Sequence, residues 1–237
     1  MNDLRKLVSS ALVSTFVLGC SDPPDQVSTT ASSSGAGGAT SATVSSSDST
    51  SSSSAGGSGG AATQSGFVPY IGCSQSRQDV KGYEMLGGTR MHWYQTGGGA
   101  IERWKDPQSE YWQLFDEQIA GKTISGAWFQ ICDHPQDGTT YADVIDVLDL
   151  LESRLEPGIV VFASGLEIFD PPDLCSICGP DVPVVTREWA DQLAADGRAQ
   201  RGPDLGPLTE DLTSDGCHPD MEGMQVTGQQ LLDFFGP

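Results

Sequence analysis

The sequence predicts an α/β fold: a three-layer α/β/α sandwich around a central parallel sheet. Two observations carry this. From Phe67 to Pro237, short apolar runs alternate with patterns of helical spacing. Such alternation places helices between parallel strands, on both faces of one sheet. The run "GIVVFAS" at 158–164 is apolar, rich in β-branched residues and preceded by glycine. That is the pattern of a strand buried on both faces.

The elements follow in order. "FVPYIG" (67–72) predicts the first strand, and "SRQDVKGYEML" (76–86) a helix closed by Gly87 and Gly88. "TRMHWYQ" (89–95) predicts a second strand, stopped by Gly97, Gly98 and Gly99. The stretch 102–120 is helical after Pro107, with Tyr111, Leu114, Phe115 and Ile119 on one stripe. "TISGAWFQIC" (123–132) predicts a third strand. In 140–155, Tyr141, Val144, Ile145, Leu148, Leu151 and Leu155 make the clearest amphipathic helix. After the strand at 158–164, a helix is expected over 186–197, with Thr186 as its cap and Gly197 as its stop. A closing helix is expected over 224–235.

The chain ahead of this domain reads differently. Arg5 and Lys6 precede an apolar run from Leu7 to Leu18, too short to span a bilayer and suited to the core of an export signal. From Ser21 to about Gly66 the chain is almost entirely Ser, Thr, Ala and Gly, with no aromatic residue. Such a segment buries too little apolar surface to offset its chain entropy, which predicts a flexible tether. The expected divisions are a signal at 1–19, a tether at 20–66 and one domain at 67–237.

The chain carries a formal net charge of −20. An acidic surface of this size argues against nucleic acid and anionic lipid as partners. Five cysteines fall in the domain: Cys73, Cys132, Cys175, Cys178 and Cys217. Export permits disulfides, and an odd count leaves one thiol over. "CSIC" at 175–178 has no second Cys or His pair beside it, so a disulfide from one of its cysteines, for example to Cys217, is expected rather than a metal site. Sequence alone does not fix the pairing.

In parallel sheets, ligands gather at the carboxyl ends of strands. Candidates for chemistry stand there. "IGCS" ends the first strand and leaves Ser74 where the chain enters a helix, with Ser76 as its near rival. A backbone N–H at such a helix start faces any anion formed nearby. Glycines after the second strand allow close backbone approach to a ligand. The third strand ends in Gln130, an amide donor. Near the C-terminus, "SDGCHPD" sets Asp215 three residues before His218. A carboxylate that fixes the imidazole tautomer makes a histidine a general base. The alternative is an Asx-turn in which Asp215 shapes the loop at Gly216. His92 and His134 read as structural or solvated. Trp93, Tyr94, Trp104 and Trp112 read as filling the core and its rim.

Taken together, Ser…Gly…Gln…Asp-x-x-His resembles the SGNH hydrolases, the GDSL esterase/lipase family, over the whole domain from Phe67. The "DGCHP" block and the helix after it carry the resemblance most strongly. It implies the flavodoxin-like fold of that family and a triad of Ser74, His218 and Asp215. It also implies an oxyanion hole of the Ser74 and Gly99 N–H groups, with Gln130 in the place of the family's asparagine. Cys73 replaces the aspartate of the Gly-Asp-Ser block, and the Gly-x-Asn-Asp block is missing. No cofactor or metal is implied. The expected partner is a small-molecule or polysaccharide ester, and the expected state a monomer. "VLGC" at 17–20 resembles a bacterial lipobox, which implies lipidation of Cys20 and export to the cell envelope, with Ser21 leaning toward the outer membrane. The alternative reading is a degenerate domain of the same kind that binds a glycan or a protein at the cell surface.

Overall fold

The computed structural model describes residues 66–94 and 99–237. The expected signal, Cys20 and the tether lie outside the described residues. Four parallel strands form one sheet in the order β1-β2-β3-β4: β1 (Tyr70–Ile71), β2 (Ala127–Gln130), β3 (Val161–Ser164) and β4 (Gln200–Arg201). The register sets Ile71 beside Phe129, and Phe129 beside Ala163.

Side chains alternate across this sheet, as successive strand residues must. Ile71, Ala127, Phe129, Val161 and Ala163 face one layer. That layer holds α2 (Ile101–Trp104), α3 (Glu110–Ile119), α4 (Tyr141–Glu152) and α5 (Val182–Ala195). Tyr70, Trp128 and Phe162 face the other, made of α1 (Ser74–Met85) and α6 (Met221–Phe235). The result is the three-layer α/β/α arrangement with a central parallel sheet. Among the described residues, no helix is long and apolar enough to cross a membrane.

The strand expected at 89–95 does not form over residues 89–94. The Arg90 carbonyl accepts one bond from the Val68 N–H (2.7 Å), but no ladder continues from it. Side chains hold the segment instead. Arg90 reaches the carbonyls of Gly66 and Phe235 and the Ser125 hydroxyl. Tyr94 donates to the Tyr70 carbonyl (2.6 Å).

The fourth helix boundary also differs from expectation. α5 starts four residues early, and Thr186 lies inside it, fully buried. Its hydroxyl donates to the Val182 carbonyl (2.9 Å) and accepts the Leu166 N–H (3.0 Å). Pro183 explains the early start, because a proline needs no N–H donor in a first helical turn. Pro107 does break the 102–120 stretch, into α2 and α3.

α1 and α6 touch backbone to backbone. A Cβ on Gly82 would lie 1.7 Å from the Met224 carbonyl oxygen, and one on Gly228 would lie 2.3 Å from the Gly82 carbonyl carbon. Only glycines permit this approach. Its consequence is positional. α1 begins with Ser74 and α6 begins three residues after His218, so their docking brings those two ends together.

Candidate active site

The site is built outward from the end of β1. After Ile71 the chain turns at Gly72, where a Cβ would lie 2.0 Å from the Ser76 hydroxyl oxygen. Cys73 caps α1, and its N–H donates to that hydroxyl oxygen (2.9 Å). The Ser76 hydroxyl in turn donates to Oε1 of Gln130. Ser76 is therefore buried and occupied, while Ser74 stands free of that network as the first residue of the helix. The N–H groups of a first helical turn have no partner within the helix.

The hydroxyl of Ser74 lies 2.8 Å from Nε2 of His218. Nδ1 of the same ring lies 2.8 Å from Oδ2 of Asp215. The other carboxylate oxygen, Oδ1, accepts the backbone N–H groups of Cys217 (3.0 Å) and His218 (2.7 Å). The two readings of Asp215 thus describe different oxygens of one side chain: one shapes the loop, the other meets the ring. Gly216 permits the turn with φ 81°, and the Ser214 N–H closes it on the His218 carbonyl (2.9 Å).

The electrostatics follow from these bonds. Partial burial pushes the Asp215 carboxyl up. The His218 N–H, the His218 ring and the Cys217 N–H outweigh it and hold the group below the usual carboxylate range. An anion there favours a proton on Nδ1, which leaves Nε2 as an acceptor for the serine proton.

Gly99 packs beside the same turn. A Cβ on it would lie 3.2 Å from the Gly72 carbonyl oxygen and 2.6 Å from Nε1 of Trp104, which donates to that oxygen (3.0 Å). Gln130 is placed otherwise than expected. It is fully buried, with Oε1 accepting from Ser76 and Nε2 donating to Glu167 (3.1 Å). Its amide is held in the layer beneath the serine turn rather than presented to the space above Ser74. The physical reason is local: Glu167, invisible as a partner in the sequence, supplies an acceptor in the interior.

Two disulfides flank the site. Cys73–Cys132 joins the residue before Ser74 to the end of β2. Cys175–Cys217 ties the residue before His218 to the loop after β3. Cys178 is the free, buried thiol among the described cysteines, 2.9 Å from Sγ of Cys175. Burial, with the nearby Glu167 carboxyl adding to it, pushes this thiol up to about 12. The Sγ atoms of Cys175, Cys178 and Cys217 lie within 4.8 Å of one another, but a disulfide occupies two of them. His92 is exposed and bonds Glu84 (3.1 Å). Trp104 and Trp112 are buried in the core beside Phe115, and Trp93 is exposed.

A cavity of about 360 Å³ lies beside the disulfides. Asp133 and Cys178 are in its wall, one next in sequence to Cys132 and the other 3.6 Å from Sγ of Cys217. Val182, Val185 and Trp189 of α5 form its apolar side. Sequence reading missed this wall, and it missed two buried carboxyls, Asp79 and Glu167. For Asp79 a signal existed. Ser76, Asp79, Val80 and Tyr83 share one helical face, so a carboxyl stands in the apolar stripe of α1.

No family model matches this chain, and no curated protein matches it. Solved structures do. A candidate SGNH hydrolase from Slackia heliotrinireducens aligns at 17% identity and a TM-score of 0.47, covering 70% of this chain and 97% of the other. A carbohydrate acetylesterase family member from Sinorhizobium meliloti aligns at 12% identity and a TM-score of 0.42, covering 66% of this chain and 84% of the other. Scores at this level leave the reading of the site to its own distances.

Proposed function

We propose that this chain is a serine hydrolase that cleaves acyl esters, with Ser74 as nucleophile. The carrying observation is the unbroken line from the Ser74 hydroxyl through the His218 ring to Asp215, with 2.8 Å at each step. His218 Nε2 takes the hydroxyl proton as Oγ attacks the ester carbonyl carbon. Asp215 holds the ring and stabilises the imidazolium that forms. The N–H groups of Ser74 and Gly99 receive the charge on the carbonyl oxygen. The alcohol leaves with the proton from Nε2, and an acyl-enzyme remains. Water then gives a proton to Nε2 and attacks the acyl carbon. The acid departs as the serine regains its proton.

The proposed substrate is a small-molecule or polysaccharide ester with a small acyl group. Neither Ser74 nor His218 lines the cavity beside the disulfides, so the proposal assigns that cavity no part in turnover. The same proposal includes an exported domain held at the cell envelope through a lipid on Cys20. Replacing Cys20 with Ala is then expected to move the protein from detergent-bound to aqueous fractions.

A fluorophosphonate probe tests the central claim. The wild type is expected to label at Ser74, and Ser74→Ala to lose both label and ester hydrolysis. The placement of Gln130 favours one rival, a degenerate domain that binds a glycan or protein without turnover. Loss of one oxyanion donor costs roughly 3–4 kcal/mol, which slows such an enzyme without abolishing it. Absence of labelling in the folded wild type would decide for the rival.

A further inference from the structure

We infer that Asp79 and Glu167 share one proton in the interior and act as a positioning pair that holds the serine turn through Gln130 and Ser76. The inference rests on the hydrolase reading for its effect on turnover, but not for the shared proton.

Both carboxyls are fully buried, Asp79 on α1 and Glu167 in the loop after β3. Asp79 stands one helical turn after Ser76, whose hydroxyl bonds the same Gln130 amide that donates to Glu167, so both carboxyls border one buried polar cluster and interact within it. Among the described residues neither forms an ion pair. With both ionised, the two oxygens of Asp79 and Oε2 of Glu167 have no donor. Two bare anions side by side in a low-dielectric interior cannot both persist. One proton between them supplies the missing donor. The Gln130 amide, donating to Oε1 of Glu167, assigns the remaining negative charge to that side.

From Glu167 a relay of one polarity runs to the active turn. Gln130 donates to Glu167, Ser76 donates to Gln130, and the Cys73 N–H donates to Ser76. Each donation fixes the orientation of the next group. The Ser76 oxygen is left with a lone pair for Cys73, the residue before the nucleophile. The groups facing the pair are Gln130 from β2, Thr227 from α6, the His218 ring from its loop and the Cys178 thiol from the loop after β3. Of these only His218 carries positive charge, and only when protonated. Burial raises both carboxyls, and Asp79 well above the ordinary range. The sign follows. A group whose native titration lies above its unfolded one stabilises the fold at low pH and loses that contribution as pH rises through the native value.

The test combines infrared spectroscopy with kinetics on the folded protein. At neutral pH the wild type is expected to show the carbonyl band of a protonated carboxylic acid, absent in Asp79→Asn. Turnover of p-nitrophenyl acetate is expected to fall in alkali as that band disappears. Asp79→Asn, whose amide donor cannot be titrated away, is expected to lack that alkaline fall. Ser76→Ala cuts the relay at its other end and is expected to lower kcat on the order of 10-fold at unchanged KM, because small displacements of a nucleophile are costly. A wild type without the acid band overturns the shared proton. An acid band with identical alkaline profiles in wild type and Asp79→Asn overturns the positioning role. An acid band in a protein with no turnover leaves the shared proton standing and sinks the hydrolase reading with the positioning role. The infrared measurement on the wild type needs no variant to fold.

Discussion

At the scale of single residues, Asp215 is the most informative side chain, because its two oxygens do separate work. Oδ1 accepts two backbone N–H groups and builds the loop; Oδ2 meets the histidine ring. Asp215→Asn keeps a carbonyl oxygen for the loop and puts an N–H₂ where the ring needs an acceptor. The fold is therefore expected to survive while kcat falls about 10³–10⁴-fold, as when a triad histidine is held in the wrong tautomer. Equal losses of thermal stability and activity would instead make Asp215 a loop residue only. The pH sign is opposite to that of the buried pair. A carboxyl held below its ordinary range contributes stability at neutral pH and loses it as pH falls through the lowered native value. Much of this was legible in the sequence, since Asp-x-x-His lies within one loop and its geometry is local. Gln130 was not. Its role depends on Glu167, 37 residues away and on another strand's loop, and no local pattern announces such a partner.

At the scale of elements, the docking of α1 against α6 makes the site, and two glycines make the docking. The usual expectation for glycine within a helix is that alanine stabilises, by about 1 kcal/mol in propensity. At Gly228 the added Cβ would lie 2.4 Å from the Tyr83 nitrogen and 2.3 Å from the Gly82 carbonyl carbon. Both atoms are backbone, so no flexible side chain can give way. Overpacking of this kind costs typically 1–3 kcal/mol, and a whole-helix shift more. Steric cost therefore exceeds propensity, and Gly228→Ala is expected to lower the melting temperature by roughly 3–10 °C. Activity should fall further than stability, since moving α6 moves the loop of His218 away from Ser74. A rise in melting temperature would refute the backbone contact. Elements with long apolar stripes, such as α4, were readable from periodicity alone. β4 was not, being two polar residues at the sheet edge, and the strand expected at 89–95 does not form over residues 89–94, where side-chain bonds of Arg90 and Tyr94 hold the segment in place of a ladder.

At the scale of the whole molecule, Ser74 and His218 come from opposite ends of the domain, and each has a disulfide at the preceding residue. The bridges close loops of sequence separation 59 and 42. In the chain-entropy account each such loop closure contributes up to about 4 kcal/mol through the unfolded state. In an acidic domain, like-charge repulsion works against compaction, so a constraint on the unfolded chain offsets it at no cost in core volume. Reduction is expected to lower the melting temperature by up to roughly 8–16 °C per bridge, at 2–4 °C per kcal/mol for a domain of this size. It is also expected to reduce ester hydrolysis by more than the lost folded fraction, because the turn of Ser74 and the loop of His218 each lose the covalent tie next to them. The check is a melt and an initial rate on the same reduced sample, with alkylation to count thiols. Before reduction, Cys178 should resist alkylation in the native protein, since burial both hides its thiol and pushes it up to about 12. After reduction, full activity in the fraction that remains folded would separate the bridges from the site and reduce them to devices of stability alone.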